Sequence, residues 1–342
     1  MKHLRVLALC ARQLSRANSF RCLCAAAKPA PEDVPYSSRK DSEDKKHVYS
    51  NLYPWKSKGE FVRELAARPR SMLKQRLHVS GLGESPYSLE DALDGLAIHL
   101  NVDHIVIVKS TERIGFKYAT VLAVNIDKSK LRCRKAVLRA KPMQIPYTTA
   151  WVIAKGYPVR DEVKEKVAMR LVPLDDSEKR VEVLREFSKT AVKNRLVKTV
   201  LTECRTLKKN TSIAMSLLEV ATSNVHKSFF RAYVASLASC VMGDLSPNAC
   251  LTKYHQGRPL VLSPMAAASA RPQPLPDAVC KQLGVSNSHQ RIVPTMVHYR
   301  SILLPSYHGK DQHLLLRDPT LPKHFSWTLE RLGLLPDLYP QK

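Results

Sequence analysis

The sequence predicts an α/β protein in which an α+β first domain, built from both chain ends, carries an inserted α/β second domain. Apolar, β-branched runs that are typical of buried strands lie before residue 156. Helical spacing of apolar residues dominates the middle of the chain, and strand-like runs return after residue 251. A strand-rich, then helix-rich, then strand-rich order is typical of a discontinuous domain interrupted by a second domain.

Length and charge limit the classes of function. The 342 residues are enough for about two domains, and 44% of them are hydrophobic, which is enough for packed cores. A net charge of +25 favours a phosphate-rich partner or an anionic membrane. No apolar run approaches the roughly 18 residues that a membrane span requires. We therefore expect a soluble or peripheral protein with no membrane span.

The first 31 residues are predicted to be a mitochondrial transit peptide. They contain no Asp or Glu but six cations: Lys2, Arg5, Arg12, Arg16, Arg21 and Lys28. That composition is typical of transit peptides, and the alternative is a basic tail that happens to lack acids. It places the protein in the mitochondrial matrix. The five cysteines beyond residue 31 are scattered with no CxxC spacing, so neither a disulfide frame nor a zinc site is expected.

The part of the chain before residue 116 is predicted to hold an extension and the start of the first domain. Residues 32–80 are polar apart from an aromatic patch at 49–55, and they are either an extension docked on a neighbouring surface or a linker. Residues 81–150 form the first part of the first domain. A helix is expected to begin at Ser88, because apolar residues follow it at helical spacing, and 105–108 is a short buried strand.

Residues 116–156 are predicted to form the centre of the fold. Thr120–Ile126 is a buried strand, a polar turn follows at 127–130, and Ala150–Ala154 is a second buried strand. Between them, five cations fall within ten residues: Arg132, Arg134, Lys135, Arg139 and Lys141. We interpret this as a cationic hairpin on a rigid sheet edge, which suits a polyanion because little ordering entropy is lost on binding. The alternative is an edge strand kept soluble by charge.

The middle and final segments complete the predicted arrangement. Residues 151–250 are expected to form a small α/β domain with a parallel sheet: helices dominate 160–210, notably 178–204, and Phe229–Ala235 is a buried strand. Residues 251–325 return to the first domain, with strands at 253–262, 295–304 and 313–317 and a helix around 276–283. Residues 326–342 are a C-terminal tail.

Several stretches resemble the universal large-subunit ribosomal protein L-one family, in its mitochondrial members. The matching residues in the centre are Phe116, Leu122-Ala123-Val124-Asn125, Asp127, Lys130, Arg134, Val137-Leu138 and Ala154-Lys155-Gly156. Upstream, Tyr87–Ala92 resembles the entry helix of the family, and near the end Tyr299–Leu303 and Leu314–Lys323 resemble its closing strands. The resemblance covers about half of the chain.

The resemblance implies a fold and a function. Family members have a first domain made from both chain ends and an inserted Rossmann-like second domain. The first domain binds stalk RNA of the large subunit near the tRNA exit site. The implied role is therefore a non-catalytic structural constituent of the mitochondrial large ribosomal subunit that supports translation, with large-subunit rRNA, other mitoribosomal proteins and exit-site tRNA as partners.

The resemblance also implies an RNA-binding set. Its members are Phe116, Lys128, Lys130, Arg132, Arg134, His298, Arg300, Ser306, Tyr307, His308 and Gly309. Phe116 is either an RNA contact or a core residue, and His298 and Arg300 either face RNA or form an ordinary solvent face. Tyr307-His308 replaces the usual Thr-Met of the family, although Tyr and His still stack on or hydrogen-bond to RNA. The glycine- and proline-rich signature of bacterial second domains is absent.

The sequence contains no recognisable enzyme motif. The twelve histidines are scattered, and no GxSxG, P-loop or paired-carboxylate motif occurs. The sequence therefore predicts no catalytic residue, no cofactor and no metal. A second hypothesis is a mitochondrial RNA-processing or RNA-modifying enzyme with a cofactor in its α/β domain. A third is a peripheral protein on anionic lipid, against which stands the lack of a basic helix with a large apolar face.

Overall fold

The computed structural model describes most of residues 47–336. Its described ranges are 47–51, 57–67, 76–79, 89–101, 103, 105, 121–124, 127–143, 145–173, 179–223, 227–244, 252–255, 258–261, 274–317 and 321–336. The transit-peptide prediction, Phe116 and the strand expected at 106–108 lie outside these ranges.

Seven helices are described. They are α1 (Lys58–Ala67), α2 (Leu89–Leu100), α3 (Asp127–Met143), α4 (Lys189–Lys193), α5 (Lys227–Ser236), α6 (Asp277–Leu283) and α7 (Lys323–Arg331). Short 3-10 helices occupy Val48–Asn51 and Asn287–Ile292. The described helices include none that is both long and apolar enough to cross a membrane.

Twelve strands are described, and most of them belong to one sheet. They are β1 (Arg76–Val79), β2 (Val121–Val124), β3 (Thr148–Lys155), β4 (Glu162–Pro173), β5 (Lys179–Leu184), β6 (Lys198–Asn210), β7 (Met215–Thr222), β8 (Cys240–Val241), β9 (Thr252–His255), β10 (Arg258–Val261), β11 (Val297–Gly309) and β12 (Gln312–Arg317). The large sheet has the order β12-β11-β3-β7-β6-β4-β5, and β8 also pairs with β3. Two further hairpins, β1-β2 and β9-β10, are separate.

Strand β3 lies at the centre of the sheet, and its alternating side chains enter two cores. Ala150, Val152 and Ala154 are fully buried on one face, where α5 packs. Trp151 and Ile153 point to the other face, where α6 and α7 cover one end of the sheet. The sheet is thus an antiparallel layer between two sets of helices, a mixed α/β architecture.

Several predicted elements are confirmed. A strand lies within Thr120–Ile126, the expected strand at 150–154 is β3, and the helix expected from Ser88 is α2. The expected strands at 295–304 and 313–317 are β11 and β12, and the helix around 276–283 is α6, whereas the single strand expected at 253–262 is the antiparallel pair β9 and β10. Within the 49–55 patch, Tyr49 docks on α7: it is 4% exposed, and its hydroxyl lies 2.7 Å from Thr328 Oγ1.

The predicted cationic hairpin is wrong, because residues 127–143 form helix α3. Cys133, Ala136 and Ala140 recur at helical spacing and are 0–1% exposed. Cys133 and Ala136 pack on Ile302 and Leu304 of β11. The small buried residues of this segment therefore recur on one side of a helix that lies on the sheet.

The predicted helices across 160–210 are also wrong. Residues 162–167 alternate between exposed and inward-facing side chains, and Val200, Thr202 and Cys204 are buried at every second position. This period of two makes β4 and β6 strands, with β5 beside them, and among the described residues of this stretch only 189–193, helix α4, are helical.

The strand predicted at Phe229–Ala235 is helix α5, in which this short run, apolar apart from Arg231, is buried throughout. The predicted parallel sheet is wrong as well, because all ladders among the described strands are antiparallel. The two-domain description is not confirmed: β3, the middle strands and β11-β12 belong to the same sheet.

Candidate nucleic-acid interface

Helix α3 presents a basic face to solvent. Arg132, Arg134, Lys135 and Arg139 are exposed on the side opposite the buried Cys133 and alanines, and we call these four residues the basic face of α3. The salt bridges of the described residues do not involve any of the four. Leu131 and Leu138 lie on the same side and are 53% and 62% exposed. The surface thus offers fixed positive charge with some apolar area between the cations.

The β11-β12 hairpin adjoins this face. Arg139 Nη1 donates a hydrogen bond of 3.4 Å to the backbone oxygen of Ser306. The Ser306 amide in turn donates to His313 Nδ1 at 3.0 Å. Ser306 and Gly309 both have positive φ, at 50° and 150°, so the chain turns around residues 306–311, which we call the hairpin tip. The hairpin tip is therefore tied to the C-terminal half of α3.

A polar cleft lies on the part of the sheet that α6 and α7 leave uncovered. Its volume is about 410 Å³, and we call it the sheet-face cleft. It is lined by Pro146, Thr149, Glu162, Lys164, Glu203, Cys204, Arg205, Glu219 and Ala221. Most of these residues come from every second position of β3, β7, β6 and β4, so that one side of four neighbouring strands forms the floor.

The register of these strands sets cations opposite carboxylates. Arg205 pairs across the sheet with Glu219 and donates to its Oε1 at 3.0 Å. The other oxygen of Glu219 accepts the indole N–H of Trp151 at 3.0 Å. The Lys164 Nζ lies 3.6 Å from Glu203 Oε2. Both oxygens of Glu219 are thus engaged, which fixes the Arg205 guanidinium at the floor of the cleft.

The aromatic ring of Trp151 and the guanidinium of Arg300 extend the floor of the cleft towards β11. Trp151 is 7% exposed, and the Arg300 guanidinium carbon lies 4.5 Å from its ring centroid. That distance is a cation–π contact. Arg300 occupies a register shift between β11 and β3, which brings it to the face of Trp151.

Burial favours the neutral forms of two groups near the cleft, the Cys204 thiol and the Tyr147 hydroxyl. Burial, with the charge of Glu165, raises the pKa of the Cys204 thiol to about 12, so it is not a nucleophile at neutral pH. Burial also raises the pKa of Tyr147, the residue before β3, to about 12. Among the described residues, no cluster of three His, Cys, Asp or Glu could hold a metal ion.

The structure separates the predicted RNA-binding residues. Arg132 and Arg134 lie on the basic face of α3, and Lys128 and Lys130 lie in the first turn of the same helix. His308 and Gly309 are exposed at the hairpin tip, and Ser306 is half-buried beside Arg139.

Two members of that set lie in the core. His298 is 1% exposed, with its ring centroid 5.8 Å from that of Phe325, and Tyr307 is 3% exposed in the cluster beneath α3. Because of the register shift, Arg300 does not follow His298 into the core. Arg300 and the hairpin tip therefore belong to the surface, whereas His298 and Tyr307 stabilise the fold.

Sequence reasoning missed the sheet-face cleft. Residues 160–210 were expected to be mostly helical, so Glu203 and Arg205 were not placed beside Glu219 in a sheet. The sequence signal for these strands is partial: Val163, Val167 and Cys204 alternate with charged residues such as Lys164, Glu203 and Arg205, but Glu165 and Leu201 interrupt the period of two.

The chain is similar to known proteins both in sequence and in fold. The mitochondrial mRNA pseudouridine synthases RPUSD3 of Bos taurus and Homo sapiens are each 26% identical over 214 residues. These matches span 63% of this chain but only 60% and 59% of the two relatives. The solved structure of human RNA pseudouridylate synthase domain containing 4 has the same fold, with a TM-score of 0.56 and 17% identity, over 82% of this chain and 98% of that one. No protein-family model matches the chain.

These findings overturn the ribosomal interpretation. The predicted membership of the L-one family, the structural role in the large ribosomal subunit and the mitoribosomal partners are wrong, because the related sequences and the related fold are those of pseudouridine synthases. The prediction that the protein is not an enzyme falls with them. The resemblance rested on a short apolar strand followed by cations, which here is β2 and the start of α3.

Proposed function

We propose that this chain is a mitochondrial RNA pseudouridine synthase, which isomerises uridine within mRNA. The observation that carries the proposal is the 214-residue likeness to two mitochondrial mRNA pseudouridine synthases. The net charge of +25 and the acid-poor, basic first 31 residues support an RNA substrate and a mitochondrial location. The RNA-modifying alternative thus replaces the ribosomal role.

The reaction requires groups of a particular kind. Isomerisation breaks the C1′–N1 bond of uridine and joins C1′ to C5. The hydrogen on C5 leaves as a proton, and N1 takes up a proton, so that substrate and product have the same composition and oxidation state. Chemistry on a base inside a folded strand first requires that the nucleotide leave its stack and enter a pocket. The protein must therefore hold one extruded nucleotide and the backbone on either side of it.

The sheet-face cleft suits the extruded nucleotide. Its volume of about 410 Å³ lies in the usual range of small-molecule sites. Arg205, fixed by Glu219, and Lys164 supply cations for the phosphates of that nucleotide. Because the strands of the floor belong to one continuous sheet, these side chains are positioned before RNA binds.

The release of tritium from C5 tests the reaction directly. A mitochondrial mRNA transcript labelled with tritium at C5 of uridine is incubated with the purified protein. We expect tritium to appear in water as C5 becomes bonded to C1′, and a transcript labelled at C6 to keep its label. In cells that lack the protein, the mitochondrial mRNA sites that the purified protein modifies should no longer contain pseudouridine. If no tritium is released and no site changes in those cells, the proposal is overturned.

Variants of the cleft locate the reaction. Arg205→Gln should slow tritium release, whereas Arg170→Gln removes a comparable arginine that pairs with Glu182 on β5 outside the cleft and should leave the rate unchanged. Equal rates for the two variants would contradict the assignment of the cleft, even if the wild-type protein modifies RNA.

A further inference from the structure

We propose that the basic face of α3, together with the hairpin tip, binds the phosphate backbone of the RNA that flanks the target nucleotide. This inference rests on the proposed function for the identity of the RNA, but the binding surface itself is argued from charge and packing.

The charge of α3 is unbalanced within its own sequence. From Asp127 to Met143 the helix has one carboxylate and seven cations. Arg132 and Lys135 are three residues apart, and Lys135 and Arg139 four apart, so like charges are neighbours on the exposed side. The described salt bridges leave the four cations of the basic face of α3 without a carboxylate. A polyanion would relieve this repulsion, and counterions released from its phosphates would drive binding.

The helix is also held rigidly, so that its cations are positioned in advance. Its buried side consists of small residues, Cys133, Ala136 and Ala140, which bring it close to β11. The hydrogen bond from Arg139 to Ser306 joins the helix to the hairpin, where Lys310 is exposed. Fixed cations lose less entropy on binding than cations of a flexible tail.

RNA suits this surface better than a lipid membrane. Leu131 and Leu138 are exposed, but they are separated along the helix and lie among cations, so they do not form the wide apolar face that an interfacial helix inserts. The exposed cations around them can instead neutralise successive phosphates of an RNA backbone. We therefore assign the surface to RNA.

The test uses a charge-neutralised variant with a matched control. The variant is Arg132→Gln/Lys135→Gln/Arg139→Gln, and the control Arg160→Gln/Lys189→Gln/Arg195→Gln removes the same charges from exposed positions elsewhere. The affinity of the full-length protein for a fluorescent mitochondrial mRNA fragment is measured by anisotropy across a range of salt concentrations. We expect the α3 variant to bind more weakly, with a log–log salt slope shallower by about 2–3. The control should bind RNA with nearly the same affinity and the same salt slope as the wild-type protein.

Separate measurements distinguish failure of this inference from failure of the proposed function. If α3 binds flanking RNA, the variant should raise KM for tritium release and leave kcat near that of the wild-type protein. Wild-type protein that binds RNA without releasing tritium would refute the proposed function, while the salt slopes would still decide the role of α3. Equal slopes for the variant and the control would overturn the inference. The inference would also be overturned if the wild-type protein bound anionic vesicles and the variant lost that binding but kept its affinity for RNA.

Discussion

The ion pair between Arg231 of α5 and Asp244 gives the sharpest prediction for stability. Arg231 Nε lies 3.0 Å from Asp244 Oδ2, and the two side chains are 8% and 1% exposed. Removing one member of such a pair leaves a buried charge without its partner and typically costs about 3–5 kcal/mol. We therefore expect Asp244→Asn to lower the free energy of unfolding by about this amount, a large share of the usual 5–15 kcal/mol.

A double-mutant cycle separates the ion pair from its surroundings. Urea unfolding is followed by tryptophan fluorescence for Asp244→Leu, Arg231→Met and the double variant. Because the double variant leaves no charge buried, it should lose less stability than the sum of the two single losses. The exposed pair Arg170–Glu182 is the control, and its loss should cost less than about 1 kcal/mol. Additive losses at 231 and 244, or a loss below about 1 kcal/mol for Asp244→Asn, would refute the reasoning.

Three further predictions concern the turn after β8, the cleft and the last helix. Gly243→Ala should abolish soluble expression, because φ is +76° and a Cβ would lie 2.0 Å from a backbone oxygen, whereas Gly284→Ala, with φ +62° and open space, should cost about 1 kcal/mol in denaturant unfolding. Glu219→Gln should lower tritium release yet change the melting temperature as little as Glu182→Gln, because both carboxylates belong to half-exposed ion pairs. Burial lowers the pKa of His324 to about 4, so the unfolded chain binds the extra proton between about pH 6.5 and 4. Stability should fall as pH falls through that window, and the melting temperature of His324→Gln should fall less steeply.

The sequence was most informative where one face of an element is apolar and the other polar. Helix α2 was predicted from its helical spacing, and strand β3, although buried on both faces, was predicted because its apolar run has a clear length and clear boundaries. Helix α5 was predicted to be a strand because Phe229–Ala235 is a short run that is apolar apart from Arg231, and such a run fits a buried strand as well as a buried helix. The interpretation of α3 as a hairpin was based on its cations, of which the helix has seven. The spacing of Cys133, Ala136 and Ala140 indicates a helix instead.

The candidate site could be predicted only in part. Arg132 and Arg134 were chosen for their local charge, and the structure does expose them. The sheet-face cleft depends on strand register, which brings Arg205 opposite Glu219 and Lys164 opposite Glu203. Such pairings join residues far apart in the chain, and a sequence without related sequences does not specify them. The hydrogen bond from Arg139 to Ser306 escaped prediction for the same reason.

The position of β3 in the sheet has a consequence for how the newly made chain matures. One edge of β3 pairs with β7, but the other accepts Val297–Ile302 of β11. A ribosome that has synthesised the chain only as far as α6 has therefore produced a sheet with a bare apolar strand along one side, which invites pairing with another chain. Truncations that remove the last fifth of the protein should consequently aggregate, and a chaperone that shields this edge should be most useful late in synthesis.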